Sequence, residues 1–456
     1  MAARPLDLKE AGRPWRKSRH PARRPDLAST APAGGDTRGD AVRDRRGRLK
    51  HRLHDRFWRL VTPWSADPLP GVVSDPELAP GGKLHADICI VTNGTFPGGN
   101  AATTITELES FEAAGLSVLI VNCSVKSSPW KWRWTAERYL PYRDRIVAAH
   151  HVDTLRCGTL IARGPRMVMT RNFLRLALRI RPDHAIVVVN NSAWDETGRP
   201  IFSWPALHER VRSLPWPSVE LCPTGPIIRA ESACDLEGSR VTSVLSGRDW
   251  PPVLDETAFM YAPRARWDGP IVIGRHARDH PGKWLQDEKD LLAAYPEDDP
   301  RIRVRILGGA QSVEALLGRV PSGWEVLPFG LDGVNHYLES LDVFVNFPAP
   351  NRHEAFGRTV VEAALAGLPV ILPYRFQATF GDLGFYCRPE GVRDVIDRLA
   401  ADDEGRLAHL AACRALATEL YGRPSLVRRL QNGEATKRPH LDPERRAWRA
   451  GILPQR

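Results

Sequence analysis

Short apolar runs of strand length recur along the chain, each bounded by Gly, Pro or Asn and separated by segments with helical spacing. In the first half they cover residues 86–96, 116–124 and 184–190; in the second half they cover 270–274, 301–309, 322–330, 341–348 and 367–373. Between the first two lies a polar loop, 97–100, and then a helical pattern, 102–115, that stops at Gly115. Strand, glycine loop, helix, strand is the opening unit of a parallel sheet covered by helices. Residues 249–270 carry four prolines and little periodicity, which marks a linker. The same alternation then starts again. The pattern therefore predicts an α/β protein of two Rossmann-like domains, with a cleft at the carboxyl ends of two sheets. The boundaries read as an arm at 1–80, an N-terminal domain at 81–250, a linker at 251–269, a C-terminal domain at 270–431 and a loose polar tail at 432–456.

Composition changes this picture only at the start of the chain. The net charge is +10, and residues 1–60 hold 17 Lys/Arg against 7 Asp/Glu, while the rest holds 47 of each. A charge-balanced body argues against nucleic acid as a partner. Residues 1–45, rich in Arg, Pro, Ala, Gly and Asp, cannot bury a core and are expected to be disordered. Within 46–64, Leu49, Leu53, Phe57, Leu60, Val61 and Trp64 fall at helical spacing, with Arg and Lys around the rest. Such a helix suits peripheral contact with an anionic membrane. No apolar run approaches the ~20 residues of a membrane span, and no apolar stretch follows the basic start as in a signal peptide. Seven scattered cysteines without zinc-ligand spacing fit a reduced, cytoplasmic protein, at most peripheral at the inner membrane face.

The densest chemistry lies in 342–372. A strand ends at Pro348, a polar loop follows with Glu354, Phe356 and Gly357, and a short helix starts near Thr359 and ends at Gly367. A helix start after a glycine offers unpaired amides and the positive end of the dipole to an anion. Glu354 just before that start and Glu362 in the first turns flank whatever binds there.

This segment resembles the signature of retaining GT-B glycosyltransferases, especially the large family-four group, through Glu354, Phe356, Gly357, Glu362, Ala363, Ala366, Gly367, Pro369 and Val370. The resemblance covers about 85–431 and is sharper in the C-terminal half. It implies a GT-B fold, whose two Rossmann-like domains set their parallel sheets face to face across a cleft. It also implies a hexosyltransferase moving sugar from a nucleotide-sugar to a glycan or lipid-linked acceptor with retention, as in polysaccharide biosynthesis. By the resemblance, Glu354 is the catalytic carboxylate at the donor sugar and Glu362 takes the ribose hydroxyls. The turn from Phe356 through Gly357, Arg358 and Thr359 meets sugar and diphosphate. Arg275 and Lys283, in 271–284, correspond to the cations that neutralise the leaving diphosphate, with His276 and Arg278 able to share that role. Gly98 and Gly99 correspond to the N-domain glycine loop facing the diphosphate. Asn93 and Asn100 beside that loop are candidate acceptor contacts, and so is Trp132 within the aromatic run 130–134. The family's N-domain histidine has no single match; His150, His151, His184 and His208 are open candidates.

No two aspartates stand two positions apart, so no metal is expected; no cofactor is expected either, since the donor is a substrate. A sugar-nucleotide epimerase or hydrolase would share the diphosphate site, and an inert sugar-nucleotide-binding scaffold would lack the need for Glu354, Arg275 and Lys283. A nicotinamide enzyme is disfavoured because the first strand–helix turn lacks Gly-x-Gly-x-x-Gly.

Overall fold

The computed structural model describes residues 71–74, 77–95, 98–123, 134–195, 198–328, 333–351, 354–432 and 439–453. Both halves have the expected α/β architecture. The N-terminal sheet contains β1 (Gly82–Thr92), β2 (Val118–Asn122), β3 (Ile146–Ala148), β4 (Val152–Arg163), β5 (Ile180–Val189) and β6 (Val219–Pro223), all parallel, in the order β3-β2-β1-β4-β5-β6. The C-terminal sheet repeats this order with β7 (Ile271–His276), β8 (Ile302–Leu307), β9 (Trp324–Leu327), β10 (Val343–Val345), β11 (Val370–Leu372) and β12 (Phe385–Tyr386), as β9-β8-β7-β10-β11-β12. In each sheet the strand order reverses between the first and fourth strands, which opens a crevice at their carboxyl ends. Strands buried on both faces need continuous apolar runs, and Ile88–Val91, Ile186–Val189 and Val343–Val345 supply them.

Two helices carry the site. Helix α1 (Gly99–Ala113) follows β1 and ends where Gly115, at φ 80°, turns the chain. Helix α2 (Arg358–Ala366) lies between β10 and β11, with Gly357 and Gly367 both left-handed at its two ends. The domains meet through the linker and through α3 (Arg423–Asn432), which returns to the N-terminal half. Leu426 of α3 is buried with Phe111 and Trp250. Arg423 bridges Glu109 of α1 and Asp255 of the linker, at 2.7 Å each.

One expectation is corrected. The tail is not loose over 439–453: α4 (Pro443–Ile452) packs on the C-terminal domain. Asp382 holds it there, accepting from Leu441 N at 3.0 Å and from Arg449 at 3.2 Å. The apolar signal is short, with Leu441, Trp448, Ile452 and Leu453 set in a basic stretch. Residues 1–70, including the 46–64 segment, and Trp132 lie outside the described residues. Among the described residues no helix is long and apolar enough to cross a membrane.

Candidate active site

Gly357 makes the site possible. Its φ of 87° and ψ of 58° turn the chain from the polar loop into α2, a conformation other residues enter at a cost. The amides at the start of α2 are the ones a helix leaves without intrahelical partners. Val360 N closes onto Gly357 O at 3.0 Å, and the amides of Arg358 and Thr359 precede the intrahelical ladder. Phe356 is buried edge-on to Phe380 and Tyr421, at 5.5 and 5.3 Å between ring centres, which anchors the turn from below.

Glu354 lies at the mouth of this turn, and Lys283 Nζ meets its Oε2 at 2.5 Å. A second cation faces the same carboxylate. Burial pushes the Arg375 guanidinium down to about 10, opposed by the charge of Glu354. Arg375 also donates to the carbonyls of Pro348 and Ala349, at 2.6 and 3.1 Å. It fixes the backbone between β10 and Glu354. The sequence reading missed Arg375; its one signal is its place just after β11, at a strand's carboxyl end.

Glu362 is held through one oxygen and approached at the other. Arg358 Nε donates to Oε1 at 2.7 Å, and His276 Nε2 lies 3.3 Å from Oε2. Burial holds the His276 imidazole below its ordinary value, against the opposing pull of Glu362. His276 thus stands beside the Glu362 carboxylate as a neutral ring.

Arg275 is placed differently from expectation. It is 1% exposed, donates to the Lys283 carbonyl and stacks on Trp284 with its guanidinium carbon 4.4 Å from the ring centre. A guanidinium enclosed in this way shapes the loop that presents Lys283 and does not face the crevice. The separation of roles depends on Trp284, which the spacing of the two cations does not reveal.

The N-terminal domain supplies the opposite wall. Gly98 caps α1 with φ −80°, so left-handed freedom is not its function. Gly99 faces the C-terminal domain: a Cβ there would lie 3.8 Å from Arg358 Cδ. Asn100 bridges β1 and β5, donating to Thr92 Oγ1 at 3.0 Å and accepting from Asn190 at 2.9 Å. Asn93 accepts from Thr95 Oγ1 at 2.9 Å within its own loop. Thr224, after β6, donates to Ala355 O at 3.3 Å, so the N-terminal domain touches the Glu354 loop directly.

Two of the candidate histidines have structural partners. His184 sits between Ser218 and Glu220, and buried His208 meets Ser232 and Val244 N. His150 and His151 lie in the turn between β3 and β4. At the end of β5 the wall carries Asn190, which the sequence reading did not single out. Among the described residues no group of three or more His, Cys, Asp or Glu could hold a metal ion.

No family model and no curated protein matches this chain in sequence. Its fold is similar to that of Anabaena HepE in complex with UDP-glucose, with a TM-score of 0.54 and 14% identity over 76% of this chain and 99% of HepE. It is similar to a glycosyltransferase from Rickettsia africae, with a TM-score of 0.53 and 12% identity over 77% of this chain and 97% of the other. Sucrose-phosphate synthase from Thermosynechococcus elongatus gives a TM-score of 0.52 and 16% identity over 76% and 97%. The two parallel six-stranded sheets of this chain thus form the GT-B architecture that these structures share.

Proposed function

We propose that this chain is a glycosyltransferase that takes a sugar from a nucleoside-diphosphate sugar, with retention, and gives it to a glycan or lipid-linked acceptor. The observation that carries the reading is the Lys283–Glu354 pair at the mouth of α2, with Glu362 held one helical face further on. A diphosphate at the start of α2 would meet the helix dipole, the Arg358 and Thr359 amides and the Lys283 ammonium. Glu362 would take the ribose hydroxyls, and Glu354 the sugar hydroxyls. In transfer, the bond from the anomeric carbon to the diphosphate oxygen breaks and a bond to the acceptor oxygen forms. The acceptor proton leaves with the diphosphate, whose charge Lys283 offsets. Arg275 serves this step indirectly, by shaping the Lys283 loop. Likeness to HepE bound to UDP-glucose makes UDP the first nucleotide to test.

The test is a thermal-shift screen of nucleoside diphosphates, followed by transfer assays in EDTA on wild type and Glu354→Ala. A ligand that binds only the native state raises its melting temperature. Wild type is expected to bind and to transfer without added metal; Glu354→Ala is expected to bind UDP and lose at least a hundredfold in turnover. Full turnover in a folded Glu354→Ala protein would remove the catalytic assignment.

A further inference from the structure

Arg358 stands where a helix least favours a cation. It occupies the first position of α2, beside the positive end of the dipole. Its charge is offset within the helix by Glu362, four residues on. The same guanidinium also leaves its own domain. Nη1 donates to Thr103 Oγ1 of α1 at 3.1 Å, across 255 residues of sequence, and approaches the Val253 carbonyl of the linker at 3.4 Å. Thr103 is buried, at 3% exposure, so this contact is enclosed between the domains. Gly99, one turn earlier on α1, lies against the Arg358 stem, where a Cβ would make ordinary contact at 3.8 Å.

We propose that Arg358 is a positioning residue that couples the orientation of Glu362 to closure of the two domains; this rests on the reading of the crevice as a nucleotide-sugar site. One planar fork serves both tasks, with Nε on the carboxylate and Nη1 on the opposite wall. With the domains together, Arg358 fixes Oε1 of Glu362 and leaves Oε2 to accept from a ligand hydroxyl. When the domains part, Thr103 and Val253 are withdrawn, and Arg358 keeps only Glu362. The carboxylate is then less constrained. Donor binding and closure therefore favour each other through one side chain.

The experiment compares wild type, Thr103→Val, Thr103→Ser and Arg358→Lys, each first checked for an unchanged melting temperature. Small-angle scattering of the ligand-free proteins reads the domain separation. UDP titration calorimetry reads affinity, and transfer assays read kcat. Thr103→Val keeps shape and removes the acceptor oxygen. It is expected to enlarge the radius of gyration, to weaken UDP about fivefold and to lower kcat by a similar factor. Thr103→Ser keeps a hydroxyl and is expected to restore wild-type behaviour. Arg358→Lys has no fork and is expected to open the protein and weaken UDP about tenfold. Wild-type scattering in both Thr103→Val and Arg358→Lys overturns the coupling, whether or not any nucleotide binds. Failure of wild type to bind any nucleoside diphosphate, by contrast, overturns the donor-site reading, and the scattering comparison still decides the role of Arg358.

Discussion

Lys283 and Arg275 form one sequence motif but occupy two physical environments, and mutation should separate them. Lys283 has a partly exposed ammonium in the crevice, so Lys283→Ala is expected to weaken UDP at least tenfold while uridine affinity changes less than threefold. Arg275 is enclosed against Trp284, so Arg275→Ala is expected to lower the melting temperature and to weaken both ligands by displacing the loop. Calorimetry with the two ligands checks this; equal loss of uridine and UDP in Lys283→Ala would detach it from the diphosphate. A second residue-scale effect concerns acid. Burial pushes His409 down to about 3, beside Cys413 Sγ at 3.3 Å. Its unfolded value is near 6.5, so between the two values the unfolded chain binds a proton that the folded protein does not. Stability from this group is therefore full above about pH 6.5 and falls with acidification, by about 1.4 kcal/mol per pH unit, down to about pH 3. Melting curves between pH 7 and 4 should show a shallower decline for His409→Gln than for wild type; parallel curves would mean that His409 takes up no proton on unfolding.

At the level of elements, the start of α2 was legible before the structure because its determinants are local. Gly357 and Gly367 each take the left-handed turn that a helix end needs, and the Glu354-to-Glu362 spacing lies within one loop and two turns. The start of α1 was less so: the loop was read at 97–100 and the helix from 102, whereas the helix begins at Gly99 after an extended Gly98. What was not legible depends on partners far along the chain. The burial of Arg275 depends on Trp284, the reach of Arg358 on Thr103 and Val253, and the docking of α4 on Asp382. Apolar periodicity reports which face of an element is buried but not what it meets. Local determination also makes a prediction. Gly357→Ala would force a Cβ into a left-handed turn, 3.4 Å from Phe380 Cζ. The left-handed cost alone is about 1–2 kcal/mol, and relaxing it would displace the α2 amides. Gly357→Ala is therefore expected to melt several degrees lower and to lose most of the UDP-induced thermal shift. An unchanged shift would show that these amides do not meet the diphosphate.

For the whole molecule, the unresolved asymmetry is one of charge. Residues 1–60 carry the entire +10, and the remaining chain is balanced at 47 of each sign. An even body gains little from a charged surface. A basic segment gains about 1 kcal/mol per Lys or Arg brought near an anionic leaflet, and the gain decays over a Debye length of roughly 8–10 Å. Residues 46–64 add Leu49, Leu53, Phe57, Leu60, Val61 and Trp64 at helical spacing, whose insertion would not be screened by salt. We propose that this arm holds the protein at the inner membrane face, where a lipid-linked acceptor would be concentrated. The two contributions can be told apart. The full chain and a chain beginning at Gly71, which keeps every described element, are sedimented with phosphatidylglycerol-rich vesicles at low and high salt. The full chain is expected to pellet at low salt and to retain part of its binding at 0.5 M salt through the apolar residues, whereas the shortened chain stays in solution at both. Replacing Leu53, Phe57 and Leu60 by Ser should leave low-salt binding largely intact and abolish the salt-resistant fraction. Complete release of the full chain by salt would reduce the arm to a purely electrostatic tether, and equal behaviour of the full and shortened chains would remove the membrane role of residues 1–70 altogether.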